Sequence, residues 1–373
     1  MDFGIMFFFS AEQPGATNKY QLLLDAARFA DERNFCSVWV PERHFHKFGG
    51  IFPNPSVISA ALAVSTRNIQ IRAGSLISPL HDPIRIAEEW SVVDNLSNGR
   101  AAISFGSGWN INDFVFFPER YATRQKVMYE QVQTLKELWA GGQIVRRNSA
   151  GKDVEVKIYP EPVQKELPIW ITSSGNVETY VSAGSIGANL LTHLLGQDID
   201  TLAQKIQRYR ESLANNNFDP QSRKVSLMLH TFIGDDAEAV KAKIRQPFRE
   251  YLRSAISLEE KAAAGGGVIS GGRKVDPHDI PADRVEELLD AAFERYFDTA
   301  SLMGTPEKCQ RLSWLLQEIG VDEIACLIDF LDDYEAVMSS MNYLAQLKQS
   351  FSATSVRNAS DDLLNTFLED LQD

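Results

Sequence analysis

The chain alternates short apolar runs with stretches of helical periodicity, and this alternation limits the folds that it can adopt. Apolar side chains three or four positions apart recur between the runs, as in Ile86, Trp90 and Val93. Such alternation predicts strand–helix units that build a parallel sheet covered by helices. The predicted strands are residues 3–9, 37–40, 69–77, 101–105, 168–173, 188–192, 225–233 and 323–330.

Two α/β architectures can accommodate these units. The strands are continuously apolar rather than alternating, which is expected when helices cover both faces of a parallel sheet. Eight units match a (β/α)₈ TIM barrel of about 250 residues, so a chain of 373 residues must carry insertions. A doubly wound sheet would place a glycine fingerprint at the first strand-to-helix turn, and residues 9–13 contain no glycine. We therefore predict a TIM barrel with insertions.

One barrel domain is expected over residues 1–350, followed by an acidic tail at 351–373. Residues 141–165 are predicted to insert a small hairpin. Residues 262–281 are rich in glycine and are predicted to hold no regular element. This segment has two interpretations that the sequence leaves open, a lid over the barrel mouth or a disordered surface insertion.

Composition excludes several classes of function. The net charge of −13 argues against general binding of nucleic acid or anionic membranes, because both need concentrated positive potential. No apolar run approaches about 18 residues and no basic segment precedes one, so neither a membrane span nor a signal peptide is expected. We therefore expect a cytoplasmic location. Three widely spaced cysteines, Cys36, Cys309 and Cys326, indicate buried reduced thiols rather than a disulfide framework.

Polar residues follow or end the predicted strands, and in a barrel the carboxyl ends of all strands meet at one face. Histidines are the candidate catalysts, because imidazole can exchange a proton near neutral pH, although many histidines are only hydrogen-bonded structural residues. Within "PERHFHKFGG", Glu42 and Arg43 are expected to pair and hold the turn. The candidate catalytic residues are His44, His193 and His230.

The glycine and serine segments suit a flat ring and a phosphate. Gly106 and Gly108 are not followed by a third glycine, since position 111 is Ile111, so the dinucleotide fingerprint fails. The segment at 173–176 precedes a helix and could hold a phosphate at its N-terminus, or serve only as an ordinary N-cap. No second nucleotide-binding signature is visible in the sequence. The candidate cofactor-binding residues are Gly74, Ser75, Gly106, Gly108, Trp109, Asn110, Ser173, Ser174, Gly175 and Asn176.

A metal site is not predicted. His44 and His46 are two positions apart, which would point them oppositely along a continuing strand, and no third ligand stands at a recurrent spacing.

The sequence resembles the luciferase-like flavin monooxygenases over about residues 1–340. The motifs that carry the resemblance are "MDFGIMFF", "SVWVPERHF", "SPLHDPIRIAEEWSVVDNLSNGR", "FGSGWN" and "MGTPEKC". The "PERHF" and "GSGWN" motifs are similar to the subgroup of polyketide and nonribosomal-peptide pathways.

The resemblance implies a barrel that binds reduced FMN from a separate flavin reductase and reacts with O₂ to form a flavin C4a-(hydro)peroxide that oxygenates an organic substrate. It further implies a homodimer and a substrate tethered to an acyl or peptidyl carrier protein. The family often has two histidines after the second strand; this chain has Arg43 at the first position and His44 at the second. Gly74-Ser75 matches a position where relatives can carry a cis peptide beside the flavin, while residues 108–110 and 173–176 match flavin-contacting segments.

Two other functions stay open at this point. A deazaflavin-dependent oxidoreductase would use the same barrel for hydride transfer, and a non-catalytic flavin-binding protein would retain the cofactor without turnover.

Overall fold

The computed structural model describes residues 1–8, 18–173, 175–194, 196–264 and 282–351. The strands are β1 Asp2–Met6, β2 Ser37–Val40, β3 Gln70–Ile77, β4 Ala101–Gly106, β5 Ile144–Arg147, β6 Asp153–Val156, β7 Ile169–Thr172, β8 Asn189–His193, β9 Val225–Ile233, β10 Leu302–Gly304 and β11 Glu323–Leu327. The helices are α1 Gln21–Glu32, α2 Pro55–Ser65, α3 Pro83–Ser97, α4 Arg124–Trp139, α5 Val177–Ser185, α6 Ile199–Asn215, α7 Ala237–Ala264, α8 Ala282–Thr299, α9 Pro306–Glu318 and α10 Tyr334–Ser350.

Eight strands close into a parallel barrel in the order β1, β2, β3, β4, β7, β8, β9 and β11. Pairing of β8 with β9, and of β11 with β1, leaves no open edge. Every residue of β2, β4 and β9 is buried, as expected for strands that helices cover outside and side chains fill inside. The predicted (β/α)₈ barrel is confirmed, and the doubly wound alternative is wrong because that sheet would remain open.

Several boundaries differ from the sequence expectations. A short additional strand, β10, pairs with the end of β9 and escaped prediction because three residues carry no readable pattern. The antiparallel hairpin β5–β6 lies within residues 141–165. Residues 262–264, expected in an irregular segment, instead complete α7. The remainder of the glycine-rich insertion and residues 352–373 of the tail lie outside the described residues.

The barrel interior contains an ion pair that the sequence analysis did not predict. Arg72 Nη1 donates to Glu323 Oε2 at 2.7 Å, and both side chains are almost fully buried. The same carboxylate accepts hydrogen bonds from Ser37 Oγ at 2.6 Å and Trp39 Nε1 at 3.1 Å. The Arg72 guanidinium lies 4.6 Å from the Trp39 ring centroid and 4.1 Å from that of Trp170. These groups fill the barrel interior near the amino ends of the strands with satisfied polar contacts.

The motif run that ends in "DNLSNGR" stabilises the barrel at the amino ends of its strands. Asp94 is fully buried, and its carboxylate accepts from the backbone N–H groups of Val163 and Gln164 at 2.7 and 2.9 Å. Arg100 donates to backbone carbonyls of α2 and of the following turn, including Ala63 at 2.9 Å and Ile69 at 2.8 Å. Asp94 and Arg100, at the end of the motif, therefore hold helices and loops together rather than lining the predicted site.

The cysteines carry free thiols. Cys309 and Cys326 are buried as expected, whereas Cys36 is half-buried because it stands at the edge of the barrel, just before β2. Among the described residues, no helix is both long and apolar enough to cross a bilayer.

Candidate active site

A buried carboxylate after β2 holds two imidazoles at the carboxyl end of the barrel. Glu42 Oε1 lies 2.8 Å from His44 Nε2 and 2.6 Å from His81 Nε2, while Oε2 accepts the Ile77 backbone N–H at 2.7 Å. The Glu42 side chain is 0% exposed, His44 9% and His81 25%. Burial alone would raise the pKa of the Glu42 carboxyl, but the hydrogen bonds from both histidines outweigh it and lower that pKa.

The expected pairing of Glu42 with Arg43 is wrong. Arg43 instead places its guanidinium 4.1 Å from the Phe8 ring centroid and 5.3 Å from that of Phe48. Neighbouring residues of an extended segment point in opposite directions, so Glu42 faces β3 while Arg43 faces the aromatic side.

An aromatic rim with a carboxyl group lies beside His44. The His44 ring is 5.5 Å from Phe45 and 5.2 Å from Phe116, and both phenylalanines are largely exposed. Asp113 accepts from Asn110 Nδ2 at 2.8 Å. Burial raises the pKa of Asp113 to about 6, against the opposing influence of His44 and Arg43. A carboxyl group that titrates near neutral pH therefore accompanies His44.

The predicted Gly74-Ser75 segment has a cis peptide bond within β3, where the register with β4 shifts. A Cβ on Gly74 would lie 2.8 Å from the Trp39 ring, so only glycine fits there. Ser75 Oγ and Ser104 Oγ lie 2.5 and 2.6 Å from Thr172 Oγ1, which links the ends of three strands through hydroxyl groups. Thr172 was not among the predicted site residues.

The segment after β4 brings backbone and aromatic surface to the same rim. Gly108 has a φ of +79°, and a Cβ there would lie 2.8 Å from Ile77. A Cβ on Gly106 would lie 3.0 Å from the same side chain. Arg124 Nε donates to the Gly108 carbonyl at 2.8 Å, and the Trp109 carbonyl accepts from Tyr121 at 3.3 Å.

The predicted phosphate cradle lies between β7 and α5. Asn176 is the N-cap of α5 and accepts the Glu178 N–H at 3.0 Å, so the N-cap interpretation holds for its side chain. Lys205 Nζ from α6 lies 3.5 Å from where a Gly175 Cβ would stand, and it donates to Gln197 Oε1 at 2.7 Å. A cation thus lies beside the helix N-terminus. Ser173 Oγ accepts the Gly175 N–H at 3.4 Å, and Ser174 lies outside the described residues.

The other two predicted histidines are poor proton carriers at neutral pH. Burial and the nearby Lys205 charge lower the pKa of His193 to about 4. Burial, and to a smaller degree His193, lowers the pKa of His230 to about 3. The His230 ring packs 4.9 Å from Phe248 and 4.6 Å from Tyr251, and its Nε2 has no partner within the described part of the chain. Both side chains therefore suit hydrogen bonding to a ligand better than acid–base work.

The sequence analysis missed His81 and Lys205 and assigned Glu42 the wrong partner. His81 follows the third strand within a quoted motif, so its position after a strand was a usable signal. Lys205 lies in the middle of α6, where no local pattern distinguishes it from a surface lysine.

The opposite end of the barrel contains a surface hollow of about 590 Å³ near the amino ends of the strands. Four of its charged residues form two ion pairs, Arg210 Nη2 with Asp322 Oδ2 at 2.6 Å and Lys224 Nζ with Asp2 Oδ2 at 2.6 Å. Polar residues at this end of a TIM barrel generally serve stability.

Comparison with known proteins identifies the family. The profile of the family described as luciferase-like monooxygenase matches residues 1–323. The chain is 23% identical over 264 residues to the oxygenase component of the flavin-dependent trigonelline monooxygenase of Acinetobacter baylyi, covering 68% of this chain and 71% of that protein. It is 26% identical over 267 residues to the alkanal monooxygenase beta chain of Photobacterium leiognathi, covering 68% and 79%.

Solved structures share the fold. The monooxygenase RslO1 from Streptomyces bottropensis superimposes with a TM-score of 0.77 at 20% identity, covering 95% of this chain and all of that one. The oxygenating constituent of 3,6-diketocamphane monooxygenase from Pseudomonas putida, in complex with FMN, gives 0.72 at 18%, covering 93% and 97%. An F420-dependent secondary alcohol dehydrogenase gives 0.68 at 16%, covering 93% and 99%. The closed barrel and the profile match over most of the chain agree, and the chain belongs to the luciferase-like monooxygenase family.

Proposed function

We propose that this chain is the oxygenase component of a two-component monooxygenase. It takes reduced FMN from a separate flavin reductase and uses O₂ to oxygenate an organic substrate. At one rim of the barrel, the N-terminus of α5 lies beside Lys205, and the carboxylate of Glu42 holds the buried imidazole of His44. This arrangement is the observation that carries the proposal. The trigonelline relative, itself named as an oxygenase component, supports the two-component assignment.

The residues present fit FMN. Gly175, the N-terminus of α5 and Lys205 offer one cradle for a dianionic phosphate. Gly74, Gly106 and Gly108 are positions where a Cβ would meet a neighbouring side chain within 3.0 Å, so tight packing excludes a larger residue at each of them. We propose that the flavin ring lies over this closely packed segment. Within the described residues we find no second cradle that would hold the additional phosphate of FAD.

Reduced flavin supplies the activation of O₂ when it is bound. The protein contributes orientation, exclusion of water and control of protons. Glu42 as an ionised carboxylate can only accept hydrogen bonds, so His44 must carry a proton on Nε2. His44 Nδ1 is then the nitrogen that can take or deliver a proton in the site. The neutral His230, with its open Nε2 and aromatic surroundings, is placed to orient a polar group of a substrate.

We extend the proposal to a substrate tethered to an acyl or peptidyl carrier protein. Its support is the similarity of "PERHF" and "GSGWN" to enzymes of polyketide and nonribosomal-peptide pathways. Turnover of a carrier-bound thioester, compared with the same acid free in solution, tests this part separately. Equal rates on both forms would remove the carrier protein from the proposal.

We also propose a homodimer. Helix α2 has no charged residue, and Val57 and Val64 on it are 65% and 70% exposed. Val92 and Leu96 of the neighbouring α3 are 43% and 47% exposed, which extends the apolar surface. Val64→Glu should convert dimer to monomer in sedimentation velocity, whereas Val145→Glu on the β5–β6 hairpin should not.

Flavin binding and turnover test the central proposal. Calorimetry should give tighter binding of FMN than of FAD or F420. Reduced FMN, supplied by a reductase and NADH, should then support O₂ consumption with incorporation of one oxygen atom into product. Hydride transfer with F420 and no O₂ consumption would favour the deazaflavin enzyme instead. FMN binding without any substrate-dependent turnover would favour a flavin-binding protein.

The phosphate cradle has its own test. Lys205→Met should weaken FMN binding by about tenfold, the effect of losing one charge-assisted hydrogen bond. Riboflavin, which lacks the phosphate, should bind the variant and the wild-type protein equally. Lys126→Met, a change on the exposed surface of α4, is the matched control and should affect neither ligand. An equal loss of affinity for FMN and riboflavin would show that the phosphate binds elsewhere.

A further inference from the structure

We propose that His81 is a positioning residue that sets the protonation state of His44 through the carboxylate of Glu42. The consequence for catalysis rests on the proposed oxygenase function. The coupling between the two imidazoles does not, and it can be measured in the protein without flavin.

The geometry makes the two imidazoles compete for one oxygen. His44 Nε2 and His81 Nε2 both lie within 2.8 Å of Glu42 Oε1, and Oε2 is occupied by the Ile77 N–H. The carboxylate is fully buried, so solvent screens its charge only weakly. The His81 backbone is fixed because its carbonyl accepts from Arg120 Nη1 at 2.7 Å and from Gln131 Nε2 at 2.8 Å.

The charges do not balance if both histidines are protonated. One negative carboxylate in a low-dielectric site can stabilise one imidazolium fully, and a second would face an uncompensated like charge. Such groups titrate as a coupled pair rather than as independent sites. The remaining charges are Glu89 and Arg120 near His81, and Asp113 and Arg43 on the His44 side.

His81 is the end of this cluster that reaches solvent. Its side chain is 25% exposed against 9% for His44, so it exchanges protons with water more readily. Its own desolvation lowers the pKa, but the hydrogen bond and charge of Glu42 raise it above the ordinary histidine value. His81 therefore takes the first proton of the pair.

The state of His81 then decides what His44 can do. While His81 is protonated it neutralises Glu42, and His44 remains neutral with a lone pair on Nδ1. When His81 loses its proton, the full charge of Glu42 acts on His44 and raises its basicity. A residue outside the reacting centre thus selects whether His44 enters the reaction as a base or as an acid.

The experiment follows the histidine side chains by NMR in the flavin-free protein with ¹⁵N-labelled histidine between pH 5 and 9. In the wild-type protein the His44 resonances should respond to two steps, one of them shared with His81. His81→Gln removes the competing charge and should raise the His44 midpoint by about one pH unit, a tenfold change in proton affinity. His81→Lys keeps a positive charge and should leave the midpoint within about 0.3 unit.

His46→Gln is the matched control, because His46 lies two residues from His44 in the same loop and its Nδ1 accepts the Phe48 N–H at 3.0 Å. It should leave the His44 titration unchanged. A single-step His44 titration in the wild-type protein, or equal shifts in the Gln and Lys variants, would overturn the proposal whatever the activity assays give. A coupled titration without any oxygenase activity would instead refute only the proposed function.

Discussion

Two buried glutamates lie near opposite ends of the barrel and differ in the partners that hold them. Glu323 begins β11, and its carboxylate meets the guanidinium of Arg72 together with hydroxyl and indole donors. Glu42 follows β2, and its carboxylate meets two imidazoles and one backbone N–H. Both have a pKa below the ordinary value, although burial opposes ionisation in each case.

The difference lies in whether the positive partner can lose its charge. Arginine stays protonated at every physiological pH, so the Glu323 pair is a fixed element of the core. Histidine changes charge within that range, so the Glu42 cluster can store and release a proton. A buried glutamate therefore stabilises the fold at one end of the barrel, as Glu323 does, and is available for proton transfer at the other end, as Glu42 is.

The largest expected effect comes from His44→Ala, which removes the proposed proton carrier from the Glu42 cluster. Product formation per bound flavin should fall by about 10²–10⁴, the usual range for loss of a general acid or base. FMN affinity should stay within a few-fold, because the phosphate cradle is elsewhere, and hydrogen peroxide release should rise. A stable variant that still couples O₂ consumption to product formation as the wild-type protein does would contradict a catalytic role of the Glu42 cluster. The catalytic role would then belong to His193, His230 or the flavin itself.

Arg72→Met should sharpen the structural side of the comparison. It leaves Glu323 buried without its cation, and loss of one partner from a buried pair lowers the free energy of unfolding by about 3–5 kcal/mol. Combining it with Glu323→Met should recover part of that loss in urea unfolding. Arg85→Met, which breaks a pair on the exposed face of α3, should change stability by less than about 1 kcal/mol. Equal effects for Arg72→Met and Arg85→Met would contradict the role of the core pair.

Asp113→Asn tests the titrating carboxyl beside His44. Its pKa of about 6, against 3.8 for an exposed aspartate, means that the folded protein binds a proton more tightly than the unfolded chain. Wild-type stability attributable to this group should therefore fall as pH rises from about 4 to 6. The variant should gain up to about 3 kcal/mol relative to wild type above pH 6, at 1.36 kcal/mol per pKa unit. A difference that does not change with pH would show that Asp113 is ionised throughout.

The smallest expected effect is the pH dependence that His81 gives to stability. Its folded-state pKa is raised, so its contribution is fully present below 6.5 and is lost as pH rises through the folded value. The difference in unfolding free energy between wild type and His81→Gln should shrink from pH 6 to pH 9. The difference between wild type and the double variant Arg72→Met/Glu323→Met should stay flat over that interval, because arginine keeps its charge and the lowered pKa of Glu323 keeps its carboxylate ionised in the wild-type protein. An equal pH dependence of the two stability differences would contradict the distinction between Glu42 and Glu323.

Local pattern predicted most of the fold. The eight barrel strands were located to within a few residues because each is a continuous apolar run bounded by turn residues. The ends of α3 also carry local signals in the sequence: Asp82, before a proline, caps its first turn, and Asn98, before a glycine, ends it in the left-handed conformation. Strand β10 and the last turn of α7 were not, because short pairing and helix extension into a glycine-rich segment depend on neighbours distant in sequence.

Local pattern predicted the site only in outline. The loops after the strands were expected at one rim, and Gly74-Ser75, Gly108 and the turn before α5 all lie there. The charge partners were not predictable, since Lys205 reaches Gly175 from another helix and His81 reaches Glu42 across 39 positions of sequence. The number of residues between the partners does not reveal that either pair of side chains meets.

The sequence by itself determined the barrel, because hydrophobic periodicity and chain connectivity are local properties that a parallel barrel converts into one arrangement. Only the tertiary structure decided which charged groups meet. Arg72 pairs with Glu323 across 251 positions, and Glu42 turns away from its neighbour Arg43 toward His81. Electrostatic and hydrogen-bond energies fall off over a few ångströms of space, and in a closed barrel distance in space bears no fixed relation to distance along the chain.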